Sequence, residues 1–153
     1  FTLFNCYFPN SQAEGARLPY KLDFCAHLFE TARERVAKGE NVVIVGDYNI
    51  AHTPIDLARP KQNEKNPGYL PEERAWMDSF TGGGFADSLR LFTSDGGHYS
   101  WWSYRAGARQ KNIGWRIDYA CVNDGFRNSV AKAAIHPQVM GSDHCPISIN
   151  LNL

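Results

Sequence analysis

One short run constrains this chain most. Asn41 leads into Val42-Val43-Ile44-Val45, with no polar residue interrupting the β-branched stretch. A strand half-exposed to water alternates apolar and polar, so a continuous run predicts a strand buried on both faces. The fold must therefore place material on each side of it. The run ends at Gly46-Asp47-Tyr48-Asn49. A polar turn just past a buried strand lies where α/β proteins place their ligands.

The flanking sequence supplies the partners such a strand needs. Thr2 to Phe8 reads as a strand stopped by Pro9-Asn10. Between Leu18 and Lys38, the residues Leu22, Cys25, Leu28, Phe29, Ala32 and Val36 recur at helical spacing, and Gly39 supplies the stop. Thr53 to Gly68 is polar and carries Pro54, Pro60 and Pro67, which predicts a long loop. Pro71-Glu72-Glu73 opens a helix that Gly82-Gly83-Gly84 ends. A further short helix is expected over Phe85 to Phe92. Strands are expected at Tyr99 to Tyr104, Arg116 to Val122, Val130 to Ile135 and Cys145 to Leu151. Helices mixed with strands, closing on a run of strands, predict an α/β sandwich with a mixed sheet. At 153 residues the chain suits one domain. It begins at Phe1 within a predicted strand, so a segment preceding Phe1 is expected in the natural protein.

Charge narrows the functional classes. Sixteen Lys and Arg balance sixteen Asp and Glu, so no overall field attracts a polyanion, and nucleic-acid binding must come from local clusters. Cys6, Cys25, Cys121 and Cys145 form no Cys-x-x-Cys pair, which argues against a zinc ribbon or a thioredoxin-type motif. Most are expected to be buried thiols, which fits an intracellular, reducing compartment. No stretch is apolar and long enough to cross a bilayer, and no signal peptide is present, so no membrane partner is expected.

Four groups of residues can carry chemistry. Asp47 and Asn49 stand two apart, and on an extended backbone they would point the same way. A carboxylate can hold Mg²⁺ or take a proton from water, and an amide can donate to a phosphate oxygen; a turn cap is the commoner meaning of such a tetrapeptide alone. In Gly141-Ser142-Asp143-His144, an adjacent acid and imidazole can serve as a metal ligand and a phosphate contact. Cys145 does not pair with His144, because neighbours on a strand face opposite ways. Asp118, in Trp115-Arg116-Ile117-Asp118-Tyr119, is an acid in an apolar strand that needs a partner, and His144 suits it; the alternative is an edge strand with Asp118 facing water. Tyr99 to Trp115 interleaves Trp101, Trp102, Tyr104 and Trp115 with Arg105, Arg109 and Lys111. That mixture suits a DNA backbone and an unstacked sugar, and equally an aromatic core strand followed by a basic surface loop.

Taken in order, these motifs resemble the exonuclease III family of apurinic/apyrimidinic endonucleases. The resemblance runs through Tyr7-Phe8-Pro9-Asn10, Gly46 to His52, Asn63 to Tyr69 and Pro71-Glu72-Glu73-Arg74. It continues through Phe85-Ala86-Asp87-Ser88, Trp101 to Tyr104, Asn112 to Tyr119 and Gly141 to Pro146. The wider superfamily, including DNase I-like nucleases and inositol-phosphate phosphatases, shares the Gly-Asp-x-Asn and Ser-Asp-His elements. The Asn63 to Arg74 loop and the Trp101 to Asp118 segment look like the DNA-repair branch.

The resemblance implies part of a four-layer α/β sandwich of the DNase I-like type, with a mixed sheet and flanking helices. Residues 1–153 match the C-terminal part of that single domain. The family's N-terminal part supplies an Asn and a Glu at the metal, and neither is assigned here. By matching position, Tyr7 would contact the scissile phosphate, and Asp47 would position or deprotonate the attacking water. Asn49 would orient that water, and His144, held by Asp118, would contact a phosphate oxygen. Asp47, Asn49 and Asp143 would serve the metal, Mg²⁺ with Mn²⁺ as the alternative. Asn63, Asn66 and Arg105 would hold DNA, and Trp101, Trp115 and Ile117 would line a pocket for an extruded abasic sugar. The implied reaction is hydrolysis 5′ to abasic sites in double-stranded DNA during base excision repair, accompanied by 3′-5′ exonuclease and 3′-phosphatase activity. The full-length protein is expected to be a monomer, in the cytoplasm or nucleoid if bacterial. The alternatives are a catalytically incomplete DNA-binding fragment and a superfamily phosphatase.

Overall fold

The computed structural model describes residues Phe1–Leu153. Strand β1 (Thr2–Tyr7), helix α1 (Leu18–Ala37) and strand β2 (Val42–Asp47) follow one another, and β1 and β2 pair in parallel. Parallel strands need such a crossover. Helix α1 turns Cys25 and Ala32 inward, with Leu28, Phe29 and Val36 packed beside them, as its periodicity predicts. It ends at Lys38, and Gly39 adopts the left-handed φ of 83° that releases the chain.

Strand β2 is central, in the sheet order β1-β2-β4-β3. Strand β4 (Asp118–Asn123) pairs antiparallel with both β2 and β3 (Phe85–Asp87), so the sheet is mixed, as expected. The Val/Ile run divides its side chains between two cores. Val42 and Ile44 join Phe8, Tyr48, Met77, Phe80 and Cys121 beneath α1 and α3 (Pro71–Gly82). Val43 meets Val122, Phe126 and Val130 on the opposite face. There the hairpin β5 (Val130–Ile135) and β6 (Ile147–Leu151) forms a second, antiparallel sheet. Burial on both faces is thus realised as a helical layer on one side and a hairpin on the other. Cys25, Cys121 and Cys145 are buried and all four thiols are free. No helix is long and apolar enough to cross a membrane.

Three local expectations are corrected. The Thr53–Gly68 segment contains a helical turn at Pro54–Asp56 and the short helix α2 (Pro60–Asn63). The turn forms because Asp56 Oδ2 accepts from both the backbone N–H and the hydroxyl of Thr53, at 2.9 and 2.8 Å. Phe85 to Phe92 is not a helix: Phe85–Asp87 is strand β3, followed by a turn at Leu89–Leu91. Ladder bonds to β4 outweigh local helical preference there. Tyr99 to Tyr104 is not a strand either; Trp101 alone makes isolated antiparallel bridges, to Trp115 and to His144.

Candidate active site

Three candidate residues lie in one rank across the sheet. Tyr7 is the register partner of Asp47, and Asp47 is the partner of Asp118. Residues directly opposite in a ladder project to the same face. Tyr7, Asp47 and Asp118 are thus brought together by strand pairing alone. Gly46 makes this approach feasible: its φ is 137°, and a Cβ there would collide with the Cys6 carbonyl oxygen.

Asn49 reaches Asp47 differently from the expectation. The backbone is not extended; Asn49 has φ 52°, a left-handed conformation that Asn tolerates better than most residues. Its backbone N–H donates to Asp47 Oδ1 at 2.8 Å and its Nδ2 to Asp47 Oδ2 at 3.1 Å. Nδ2 also donates to the Phe8 carbonyl at 3.0 Å, and Oδ1 accepts from Asn10 Nδ2 at 3.1 Å. Asn49 is therefore a fixed bracket around the Asp47 carboxylate.

His144 arrives from the far end of the chain. The bridge at Trp101 carries it beside β4, where its Nδ1 lies 2.9 Å from Asp118 Oδ2. That contact assigns the Nδ1 proton to the carboxylate and leaves Nε2 free. Buried Ser100 fixes the other partner, its Oγ accepting from the backbone N–H groups of Ile117 and Asp118 at 3.2 and 3.1 Å. The pairing expected from sequence is present, and Asp118 does not face bulk water.

Tyr7, Asp47, Asn49 and His144 share a cleft of about 270 Å³ that Trp101 and Trp115 also line, with Ile117, Pro67, Gly68 and Asn10 completing it. Tyr7 is 68% exposed, so its ring is available to a ligand. Trp101 and Trp115 meet edge to face at 84°, and buried Ile117 lies behind them.

The electrostatics follow from the geometry. Burial pushes the Asp47 carboxyl up to about 6; the Asn49 backbone N–H opposes this, and the Asp118 charge adds to it. The hydrogen bond with Asp118 raises His144 above its ordinary value, against desolvation. Donor atoms of Asp47, Asp118 and His144 all lie within 4.8 Å of one another, close enough to share an ion. A carboxylate whose proton affinity is raised by the charge of its neighbour Asp118 fits a divalent cation, which relieves that repulsion.

The remaining expected residues are placed elsewhere. Asp143 is not in that three-residue group; its Oδ2 accepts from Trp101 Nε1 at 3.0 Å. Asn63 Nδ2 donates to the Ala58 and Arg59 carbonyls, and Asn66 Nδ2 to Asn63 Oδ1, so both brace the loop leading to Gly68. Arg105 is exposed outside the cleft lining. Arg109 and Lys111 differ from the DNA-facing expectation. Arg109 donates to the Ser142, Pro137 and Val139 carbonyls and lies over the Trp102 ring, while Lys111 donates to Ala106.

Sequence reasoning missed the supports beneath the site. Buried Lys21 donates to the Asn49 carbonyl and to Glu73 Oε1, each at 2.7 Å. Glu73 Oε1 also accepts from Ser11 at 2.6 Å, and Oε2 accepts from the backbone N–H groups of Gly68 and Leu70 at 2.7 and 2.9 Å. Burial lowers the Lys21 ammonium below its ordinary value, opposed by Glu73. The only sequence signal was a lysine on the apolar face of α1.

A profile described as the Endonuclease/Exonuclease/phosphatase family matches residues 3–144. The chain is 43% identical over 148 residues to a protein named exodeoxyribonuclease from Bacillus subtilis (strain 168), covering 96% of this chain and 58% of that relative. It is 39% identical over 156 residues to a DNA-(apurinic or apyrimidinic site) endonuclease of Dictyostelium discoideum, covering 100% of this chain and 43% of the relative. It superposes on the crystal structure of AP endonuclease LMAP from Leishmania major with TM-score 0.86 at 30% identity, covering 94% of this chain and 47% of that one. The chain thus spans about half the length of the curated relatives it matches.

Proposed function

The chain belongs to the endonuclease/exonuclease/phosphatase family, and on that premise we propose that it serves hydrolysis of the DNA phosphodiester 5′ to an abasic site in base excision repair. A 3′-5′ exonuclease and 3′-phosphatase activity accompanies it. One observation carries the reading: the Asp47–Asn49 bracket and His144, held from behind by Asp118, open into one cleft walled by Trp101, Trp115 and Ile117. An abasic site has no base edge to read, so recognition must come from pocket shape, which rigid apolar walls supply.

Within this reading Asp47, its carboxylate held in orientation by both donors of Asn49, takes the proton from the attacking water, so that Asn49 orients the water through Asp47. Tyr7 Oη donates to the scissile phosphate, and Nε2 of protonated His144 donates to a phosphate oxygen. Asp47 would anchor a divalent ion, Mg²⁺ or Mn²⁺, with the Asn49 amide as a further candidate, whereas the Asp143 carboxylate is engaged by the Trp101 indole. When bound, that ion supplies charge stabilisation to the phosphoryl oxygens. Asn63, Asn66 and Arg105 contribute contacts to the duplex, which position it without reading sequence. The work is intracellular, by a monomer in which residues 1–153 form the C-terminal part of one domain.

Incision of abasic duplex DNA by the full-length protein with Mg²⁺ tests the reading. Asp47→Asn is expected to cost about 10²-fold or more, and an unchanged rate would refute the site. A second reading, that the 153-residue chain alone is catalytically incomplete, is favoured by its covering only 58% of the Bacillus subtilis relative. Robust turnover by the isolated chain would sink it. A superfamily phosphatase reading is disfavoured by the tryptophan walls, and comparing abasic DNA with inositol phosphates separates the two.

A further inference from the structure

Asp143 stands beside the imidazole of the site yet outside the group that can share an ion. Its bonds point to another task. Oδ2 accepts from the indole N–H of Trp101 at 3.0 Å, and Oδ1 accepts from the Ser142 hydroxyl at 3.3 Å. Its backbone carbonyl accepts from the Trp102 N–H at 2.9 Å. Trp101 is also paired through its own backbone, exchanging two 2.9 Å bonds with Trp115. An indole has one donor and swings about two side-chain torsions, so a backbone pairing alone leaves its ring pitch open. The Asp143 carboxylate removes that freedom. Gly114 completes the clamp: a side chain there would drive into the Trp102 ring and the Trp101 carbonyl.

We infer that Asp143 is a specificity-positioning residue that sets the pitch of the Trp101 indole, and thereby the width of the cleft that admits an abasic sugar and rejects a nucleotide still carrying its base. This rests on the proposed abasic-site reading. A ring free to tilt would widen the cleft, and the loss would appear as discrimination rather than as chemistry.

The test uses the full-length protein. Its activity readout is the ratio of kcat/KM for a duplex carrying a tetrahydrofuran abasic analogue to that for a duplex with an ordinary nucleotide at the same position. Asp143→Ala is expected to lower the ratio about tenfold, within the range that pocket-shape changes give. Asp143→Asn, which keeps an acceptor for the indole, restores most of it. In a Trp101→Phe background, Asp143→Ala should cost nothing further, because the bond it makes is already gone. Two readouts stand apart from turnover. The Trp101 indole N–H resonance should move upfield in Asp143→Ala and stay in Asp143→Asn. The Mg²⁺ affinity measured by calorimetry should not change in either. Loss of ion affinity in both variants, or a further fall in the Trp101→Phe background, would make Asp143 a metal ligand and overturn the inference. An unmoved ratio alongside a shifted indole resonance would also overturn it, leaving the abasic-site reading standing. Failure of that reading is seen separately, in wild-type protein without abasic preference.

Discussion

Breaking the Lys21–Glu73 pair should cost this protein a large part of its stability. Both side chains are 0% exposed and their charges lie 2.7 Å apart. Glu73→Gln removes the counter-charge from an ammonium in the core and sets an amide NH₂ against donors, either Lys21 and Ser11 or the Gly68 and Leu70 N–H groups. A buried pair broken from one side typically loses about 3–5 kcal/mol. Lys21→Met leaves a carboxylate that still accepts from Ser11, Gly68 and Leu70, so its cost should lie toward the lower end, about 3 kcal/mol. The double variant removes both charges, and its loss should fall short of the sum of the singles by at least about 1 kcal/mol. At roughly 2–4 °C per kcal/mol for a domain of this size, Glu73→Gln should lower Tm by about 6–20 °C. Thermal unfolding of the three variants and wild type, followed by circular dichroism, measures all four corners. A Glu73→Gln shift below about 2 °C, or additive losses, would refute the claim that the two charges depend on one another.

Three further outcomes follow from the site. In its proposed role as base, the Asp47 carboxyl, pushed up to about 6 by burial, would act only when ionised. Incision should therefore fall as pH drops through about 6, and raising Mg²⁺ should move that limb lower; activity flat down to pH about 4 would contradict the role. Asp118→Asn removes the charge that raises His144, so the His144 ring protons should titrate at lower pH by NMR than in wild type. In stability terms a raised imidazole contributes fully below its unfolded value and is lost as pH rises through its folded one, so Asp118→Asn should selectively weaken the acidic side. Gly46→Ala forces a side chain into the Cys6 carbonyl at φ 137°. Backbone strain of about 1–3 kcal/mol plus a displaced β1 should remove at least about 3 kcal/mol, read as a fall in the denaturant midpoint.

The parts of the fold that were legible are those whose pattern is local and repeated. The β2 run and the α1 periodicity each state their burial within a few residues, and both appear as expected. Phe85 to Phe92 misleads because Phe85, Leu89 and Phe92 also fit one helical face; only the ladder to Cys121, Val122 and Asn123 makes Phe85–Asp87 a strand. Tyr99 to Tyr104 misleads for the opposite reason, since its aromatic content reads as a strand while its backbone makes single bridges. Among site residues, the Asp118–His144 pair was legible because an acid in an apolar strand demands a partner. Lys21 was not, because its partner Glu73 lies 52 residues away and nothing in either neighbourhood signals the other. Arg109 and Lys111 show the limit of reading charge from composition: Arg109 is engaged by backbone carbonyls of the segment between β5 and β6, and Lys111 by one of its own loop.

That contrast also explains how the site is built. Tyr7, Asp47 and Asp118 depend on strand register, because a slip of one residue sends every side chain of a strand to the other face. Register is pinned at the end of β2 far from the cleft, where the Val42 N–H donates to the Asn123 side chain at 2.7 Å and the Thr2 N–H donates to the Asn41 carbonyl at 2.8 Å. At the cleft end, the Phe8 N–H donates to the Asp47 carbonyl at 2.8 Å and Gly46 permits the close approach of β1. His144, Trp101 and Trp115 are placed by no ladder of their own. They are held by isolated backbone bridges among themselves and to Leu57, and by the side-chain bonds of Asp118 to His144 and of Asp143 to Trp101. A rigid sheet thus fixes the groups proposed to handle water and phosphate. The walls proposed to measure the sugar hang on isolated bridges and individual side-chain contacts, so substitutions there should retune which nucleotide enters while leaving the rank of Tyr7, Asp47 and Asp118 in place.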